Sequence, residues 1–302
     1  NQCPICLKVL SSTSALKKHT KRKNKCSVDS EEQSSSQTIK NQLTLTPEQL
    51  DIISCPLDKN IRILAGAGCA KTTTIIYRVK NLIEIGIPSE SIIMTTFTKD
   101  AANDIQKKLQ MLIPQNKVIV GTIDSLSKRF LLKYNPDFQN NKCYVGEYKV
   151  KLYQFLSKTE CPHLQKMISN LRYIFIDEYQ DINQDYFNII SQMSKLGLTV
   201  TVVGDDCQNI YSWNGSNIKF ILEFISQFSN SCSFLLTHNF RSTPEILHLA
   251  NASIKHNENQ IYKIIQSNIQ TVHHKPTISY YYSWESEYQD IKKKILNYHY
   301  AG

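Results

Sequence analysis

The stretch "AGAGCAKTTT", residues 65–74, places a lysine and a hydroxyl-bearing residue at the end of a turn of small residues. Lys71 and Thr72 in that setting suit a polyphosphate. Backbone N–H groups of a glycine-bearing turn cradle phosphate oxygens, the lysine reaches the outer phosphates, and the threonine hydroxyl ligates Mg2+. The usual pattern is Gly, four residues, then Gly-Lys-Ser/Thr. Here both outer glycine positions hold alanine, Ala65 and Ala70, while Gly66, Ala67, Gly68, Cys69 and Thr73 complete the loop. About a hundred residues later, "YIFIDE" ends an apolar run on Asp177 and Glu178. One carboxylate to hold the metal and a second to orient or activate the attacking water is what phosphoanhydride hydrolysis needs. Asp177 is therefore the expected Mg2+ partner of Thr72, and Glu178 the expected activator. Should Ala70 need positive φ, its methyl costs about 1–2 kcal/mol, which a stable domain tolerates, so the site reads as working.

A second constellation lies at the start of the chain. "CPICLKVLSSTSALKKHTKRKNKC" spaces Cys3, Cys6, His19 and Cys26 as C-x2-C-x12-H-x6-C. Two thiolates on a tight knuckle, then His and Cys from a helix, make a tetrahedral Zn2+ site. Leu10 and Leu16 stand where a ββα finger has its small core. Residues 1–27 resemble a C2H2-type zinc finger with its last His replaced by Cys. So short a unit takes its folding free energy from the metal. Base-reading positions would fall near Ser12, Ala15 and Lys18, two of them small, so contact with a nucleic-acid backbone or a protein is expected instead of sequence readout. Residues 28–42 are rich in Ser, Gln and Glu without apolar periodicity and read as a flexible linker.

The elements that must position the first constellation alternate. "IRILAG", "SIIMTTF", "KVIVGT", "YIFIDE" and "LTVTVVGDD" read as buried strands. Helices are expected near 71–85, over "TKDAANDIQKKLQML" with Thr98 as N-cap, and near 123–134. Alternation of this kind predicts an α/β fold: a parallel sheet with helices on both faces, whose ligands bind beyond the carboxyl ends of the strands. The loop, "DEYQD" and "GDDCQ" all fall at such ends. One further strand, "TISYYYSW", and a helix, "ESEYQDIKKKILNYH", close the chain.

Composition narrows the class. Of 302 residues, 41% are hydrophobic and 20% charged, and Lys plus Arg outnumber acids 35 to 26, giving a net charge of +9 that favours a polyanionic partner. Nine dispersed cysteines argue against a disulfide framework. No signal peptide or membrane-spanning apolar run is evident, and an intracellular place, nucleus or cytoplasm, is expected.

"AGAGCAKTTT", "TTFTKDAANDI", "GTIDSL", "IDEYQDIN", "VVGDDCQNIYSWNGS" and "NFRSTPEIL" occur in this order. Together they resemble motifs I, Ia, Ib, II, III and IV of the UvrD/Rep-type superfamily 1 DNA helicases over residues 44 to about 256. The resemblance implies a RecA-like P-loop motor domain over 43–233, with an accessory insertion reduced to about 126–170, and the start of a second RecA-like domain over 234–302. It implies an ATP-dependent translocase on single-stranded DNA and at single/double-strand junctions, moving 3′ to 5′ and unwinding duplex in repair, recombination or replication. Gln49 of "LTPEQL" would read the adenine and Phe240 would stack on it. Gln208 would sense the γ-phosphate and Arg241 would contact it. Phe97, Thr122 and Trp213 would line the path of the strand. Asp124 stands where the family commonly has His. Because the late motifs do not follow, the sequence reads as a fragment in which Arg241 is not firmly held. The competing readings are a zinc-finger DNA-binding protein with a decayed ATPase, against which the intact charged residues weigh, and a P-loop kinase or switch.

Overall fold

The computed structural model describes residues 45–138, 143–144, 146–158, 160–211, 213 and 215–301. The expected zinc ligands Cys3, Cys6, His19 and Cys26 and the linker 28–42 lie outside the described residues. The compact unit that begins at Thr46 carries all that follows.

The sheet is built from six strands: β1 (Asn60–Ala65), β2 (Ile92–Thr96), β3 (Ile119–Thr122), β4 (Tyr173–Ile176), β5 (Thr199–Gly204) and β6 (Ser231–Leu236). Their order is β3-β2-β4-β5-β1-β6, and every neighbouring pair is parallel. The apolar runs of the sequence read as continuous because both faces are covered. Side chains still alternate between the faces. Ile61, Ile63, Tyr173 and Phe175 enter one core, and Leu64, Ile174, Ile176, Val200 and Val202 enter the other. The expected α/β fold with helices on both faces is present.

On the first face lie α1 (Pro47–Ser54), α2 (Lys71–Glu84) and α3 (Lys99–Leu112). Helix α2 buries Ile75, Ile76, Val79 and Leu82, a stripe at helical spacing. Its Arg78, 1% exposed, reaches the carboxyl end of α1, with Nη1 donating to the carbonyls of Ile52 at 2.9 Å and Cys55 at 3.0 Å. A cation there complements the unpaired carbonyls of a helix end. Thr98 caps α3 as expected, accepting from the Ala101 N–H.

The opposite face carries α4 (Ile123–Tyr134), α5 (Glu147–Leu156), α6 (Pro162–Ile168) and α7 (Gln184–Lys195), followed by the short α8 (Lys219–Leu222) and α9 (Phe224–Gln227). The segment expected near 126–170 thus contributes three helices whose apolar residues join the same core as the sheet. Beyond it, β7 (His238–Asn239) pairs in parallel with β8 (Gln266–Ser267), α10 spans Pro244–Ile254 and α11 spans Trp284–Ala301.

Two expectations need adjustment. The boundary placed at 233/234 falls inside β6, which is an integral strand of the sheet through its pairing with β1. "TISYYYSW" is not a strand. Tyr280 and Tyr282 in it are 89% and 108% exposed, and without a described neighbouring strand its aromatic and β-branched residues have no ladder to join.

Candidate functional site: a phosphate-binding cleft

The loop after β1 turns sharply before α2 begins. Gly68 has φ 74° and Ala70 φ 56°, ψ 35°. The left-handed conformation anticipated for Ala70 is therefore adopted by an alanine, at a cost of about 1–2 kcal/mol. At Gly68 glycine is also required for space, since a Cβ would lie 2.6 Å from Asn239 Nδ2 and 2.8 Å from Arg241 Cβ. No side chain caps α2, so the N–H groups of its first turn face the cleft without an internal partner. A fourteen-residue helix ending this way favours an anion.

A cleft of about 350 Å3 opens over this end. It is lined by the loop from Ala67 through Thr73, by Glu178 and Gln208, by Phe240 and Arg241, and by Lys108 of α3. Thr72 Oγ1 donates to Asp177 Oδ2 at 2.7 Å, and Lys71 Nζ is 3.7 Å from Glu178 Oε2. Asp177 follows β4 and is 5% exposed. Burial, with Glu178 adjoining, pushes its carboxyl up to about 6, against the opposing Thr72 hydrogen bond and Lys71 charge. A buried carboxylate so destabilised, with a threonine hydroxyl on one oxygen, is suited to a divalent cation that would supply the missing positive charge. Glu178 itself has φ 54°, a left-handed backbone at a non-glycine residue.

The expected residues do not all meet here. Cys69 is 1% exposed, and burial pushes its thiol up to about 11, so it offers the cleft its backbone only. Ala65 is buried in β1, and Gly66 faces the other side of the loop, where a Cβ would strike Ile265 at 2.6 Å. Gln49 does not line the cleft. It is 2% exposed, its Oε1 accepts from the Thr46 N–H at 2.9 Å and its Nε2 donates to Thr74 Oγ1 at 3.0 Å. "TPEQ" is a capping box, and that pattern was available as the signal for its position.

A polar clamp joins the backbone of "NFRS" to the loop, and the Arg241 side chain is exposed. Asn239 Nδ2 donates to the Ala67 carbonyl at 2.6 Å, its Oδ1 accepts from the Arg241 and Ser242 N–H groups, and the Phe240 N–H donates to the Gly68 carbonyl at 3.0 Å. Glu48 adds a second tie, accepting from the Thr237 N–H and hydroxyl at 2.9 and 2.6 Å. Asn239, Glu48 and Lys108 went unread in the sequence; Asn239, the polar residue directly before Phe240 and Arg241, was the detectable one.

Away from the cleft, Phe97 stacks on Tyr211 at 5.8 Å, and Tyr211 meets Trp213 edge-on at 5.9 Å. Trp213 is 79% exposed. Thr122 is committed locally, its hydroxyl capping α4 through the Ser125 N–H. Asp124 accepts from the Tyr186 hydroxyl at 2.6 Å, a packing role in place of a solvent-facing one.

A parallel α/β sheet, a lysine-bearing loop at a helix start and a carboxylate pair at the end of β4, separated from β1 by β5, define a P-loop nucleotide-binding protein. The UvrD/REP helicase N-terminal domain matches residues 45–151 and 147–229, more than half of the chain. The chain belongs to that family. A Mycoplasma capricolum protein described as a "probable DNA helicase II homolog" is 32% identical over 177 residues, 57% of this chain and 24% of that protein. The ATP-dependent DNA helicase PcrA of Bacillus subtilis is 36% identical over 134 residues, 43% of this chain and 18% of its own. The solved structure of Bacteroides sp. Pif1 in complex with ADP-AlF4 is 20% identical with a TM-score of 0.42, covering 69% of this chain and 46% of that one. The chain thus spans less than half the length of each of these relatives. Among the described residues, no helix is long and apolar enough to cross a membrane.

Proposed function

We propose that this chain carries the first motor domain of an intracellular ATP-dependent DNA helicase, a 3′-to-5′ translocase on single-stranded DNA and at single/double-strand junctions in repair, recombination or replication. The observation that carries the reading is the single cleft in which Lys71, Thr72, Glu178, Gln208 and Arg241 converge while an exposed Trp213 follows Gln208 along the same loop. Lys71 and Arg241 bring positive charge to a triphosphate from two sides of the cleft. Phe240, 42% exposed, offers a face for a base. Thr72 and Asp177, joined at 2.7 Å, are the residues that would hold Mg2+, whose charge would offset that of the phosphates. Glu178 takes a proton from the attacking water, and Lys71, 3.7 Å from its Oε2, helps to orient it. Phe97, Tyr211 and Trp213 form a stair of rings on which bases of a single strand stack, a contact worth about 1–3 kcal/mol per base. Residues 1–27 form a zinc-holding finger that adds a basic contact.

The test is strand displacement by the full-length protein. ATP-dependent unwinding of a 3′-tailed duplex, with a 5′-tailed duplex left intact, is expected. Unwinding of the 5′-tailed substrate alone reverses the polarity. Displacement of neither, with ATP turnover intact, removes the helicase assignment.

A further inference from the structure

A buried side-chain amide needs partners for both its oxygen and its nitrogen. Gln180 is 2% exposed and follows Glu178 in the turn Tyr179–Asp181. Its Nε2 donates to Glu178 Oε2 at 2.9 Å, and its Oε1 accepts from the Asp205 N–H at 3.0 Å. Its main-chain carbonyl accepts from Asn209 Nδ2 at 2.5 Å. Gly204 makes room for this arrangement, because a Cβ there would lie 2.5 Å from Gln180 Oε1 and 3.2 Å from its backbone nitrogen. Asp205 passes the connection on. One oxygen accepts from Gln208 Nε2 at 2.6 Å, and the other pairs with Lys263 Nζ at 3.1 Å.

The chain of contacts therefore runs from Lys71 through Glu178, Gln180 and Asp205 to Gln208, at the head of the loop that bears Trp213. Only an amide can make both middle contacts. A carboxylate at 180 would set like charge against Glu178, and a leucine would leave the Asp205 N–H without its acceptor. Glu178 Oε2 has two partners, Lys71 at 3.7 Å and Gln180 at 2.9 Å. When Lys71 turns to a phosphate, Gln180 is what continues to hold the carboxylate.

We propose that Gln180 is a positioning residue that orients Glu178 and links its state to the Asp205–Gln208 turn, so that filling the cleft is felt at Trp213. This rests on the reading of the cleft as a nucleotide site. Trp213 and Trp284 are the two tryptophans of the chain, and Trp284 is 87% exposed, so Trp284→Phe isolates the reporter. In that background, Mg2+ and a non-hydrolysable ATP analogue are titrated while a fluorescent nucleotide reports occupancy and Trp213 emission reports the loop.

The parent is expected to bind nucleotide with a change in Trp213 emission. Gln180→Leu should bind with unchanged affinity, lose the emission change, and show kcat lowered about 10²-fold at unchanged KM, as for a misplaced catalytic group. Gln180→Glu keeps the acceptor towards Asp205. It loses the donor towards Glu178 Oε2, so it should bind nucleotide, lose the emission change and lower kcat at unchanged KM as the leucine variant does. Should the leucine variant fail to fold, the glutamate variant decides alone, and an emission change retained in it overturns the proposal. An emission response and kcat intact in Gln180→Leu overturn it, as does a nucleotide-binding parent with silent Trp213. A parent that binds no nucleotide overturns instead the cleft reading beneath it.

Discussion

Asp177→Asn should make the metal-free protein more stable while removing its Mg2+ site. The carboxyl of Asp177 is raised from 3.8 to about 6 by burial and by Glu178. Its folded-state pKa lies above its unfolded value, so the folded state binds the proton more tightly. The contribution of this group to stability is complete below about 4 and is lost as pH rises through about 6. Two pKa units at about 1.4 kcal/mol each place the loss near neutral pH at about 3 kcal/mol. Asparagine removes the charge and keeps both contacts. Its Oδ1 accepts from the Glu178 N–H as the carboxylate does at 3.0 Å, and its amide can donate to the Thr72 hydroxyl, which rotates to accept. Urea unfolding without Mg2+ should show Asp177→Asn more stable by about 3 kcal/mol at pH 7.5 and by about half of that at pH 5. Equal stability at both pH values, or a variant less stable at pH 7.5, would refute the argument that a buried unpaired charge waits here for a cation.

Ala70→Gly relieves the left-handed strain of about 1–2 kcal/mol and loosens the unfolded chain by about 0.4–1 kcal/mol, so thermal unfolding should show a small net gain. Trp213→Ala, at an exposed position, should leave unfolding unchanged and weaken single-strand binding by about 1–3 kcal/mol in an anisotropy titration. A change in stability of similar size would mark it as a packing residue. Cys3→Ser with Cys6→Ser should remove one equivalent of zinc by metal analysis and leave the unfolding of the motor domain where it was.

What was legible in the sequence is what repeats or ends locally. Apolar runs closing on charge, such as "YIFIDE", announced both a buried strand and a carboxylate at its mouth, and the helix after "AGAGCA" carried its stripe openly in Ile75, Ile76, Val79 and Leu82. Pairings made across the fold left no such trace. Asn239 clamps Ala67, and Lys263 is buried against Asp205 and Asp206 at 6% side-chain exposure; each is an unremarked polar residue until the chain closes. Gln180 looked like one polar letter of "DEYQD", since neither Glu178 nor Asp205 reveals from spacing that one amide spans them. Gln49 shows a local rule overlooked, because its amide serves the start of α1 and Thr74 of α2. "TISYYYSW" shows propensity without a partner: aromatic residues that favour a strand find no described edge to pair with.

The central claim is that the cleft over Lys71 takes ATP and that its occupancy is tied to single-stranded DNA. The rate of ATP hydrolysis by the wild-type protein and by Lys71→Ala, each with and without single-stranded DNA, tests it most directly. The wild type should hydrolyse ATP faster when the strand is present, and Lys71→Ala should be inactive in both conditions yet still bind DNA with the salt dependence of phosphate contacts. Hydrolysis undiminished in Lys71→Ala, or a wild-type rate indifferent to the strand, would contradict the account.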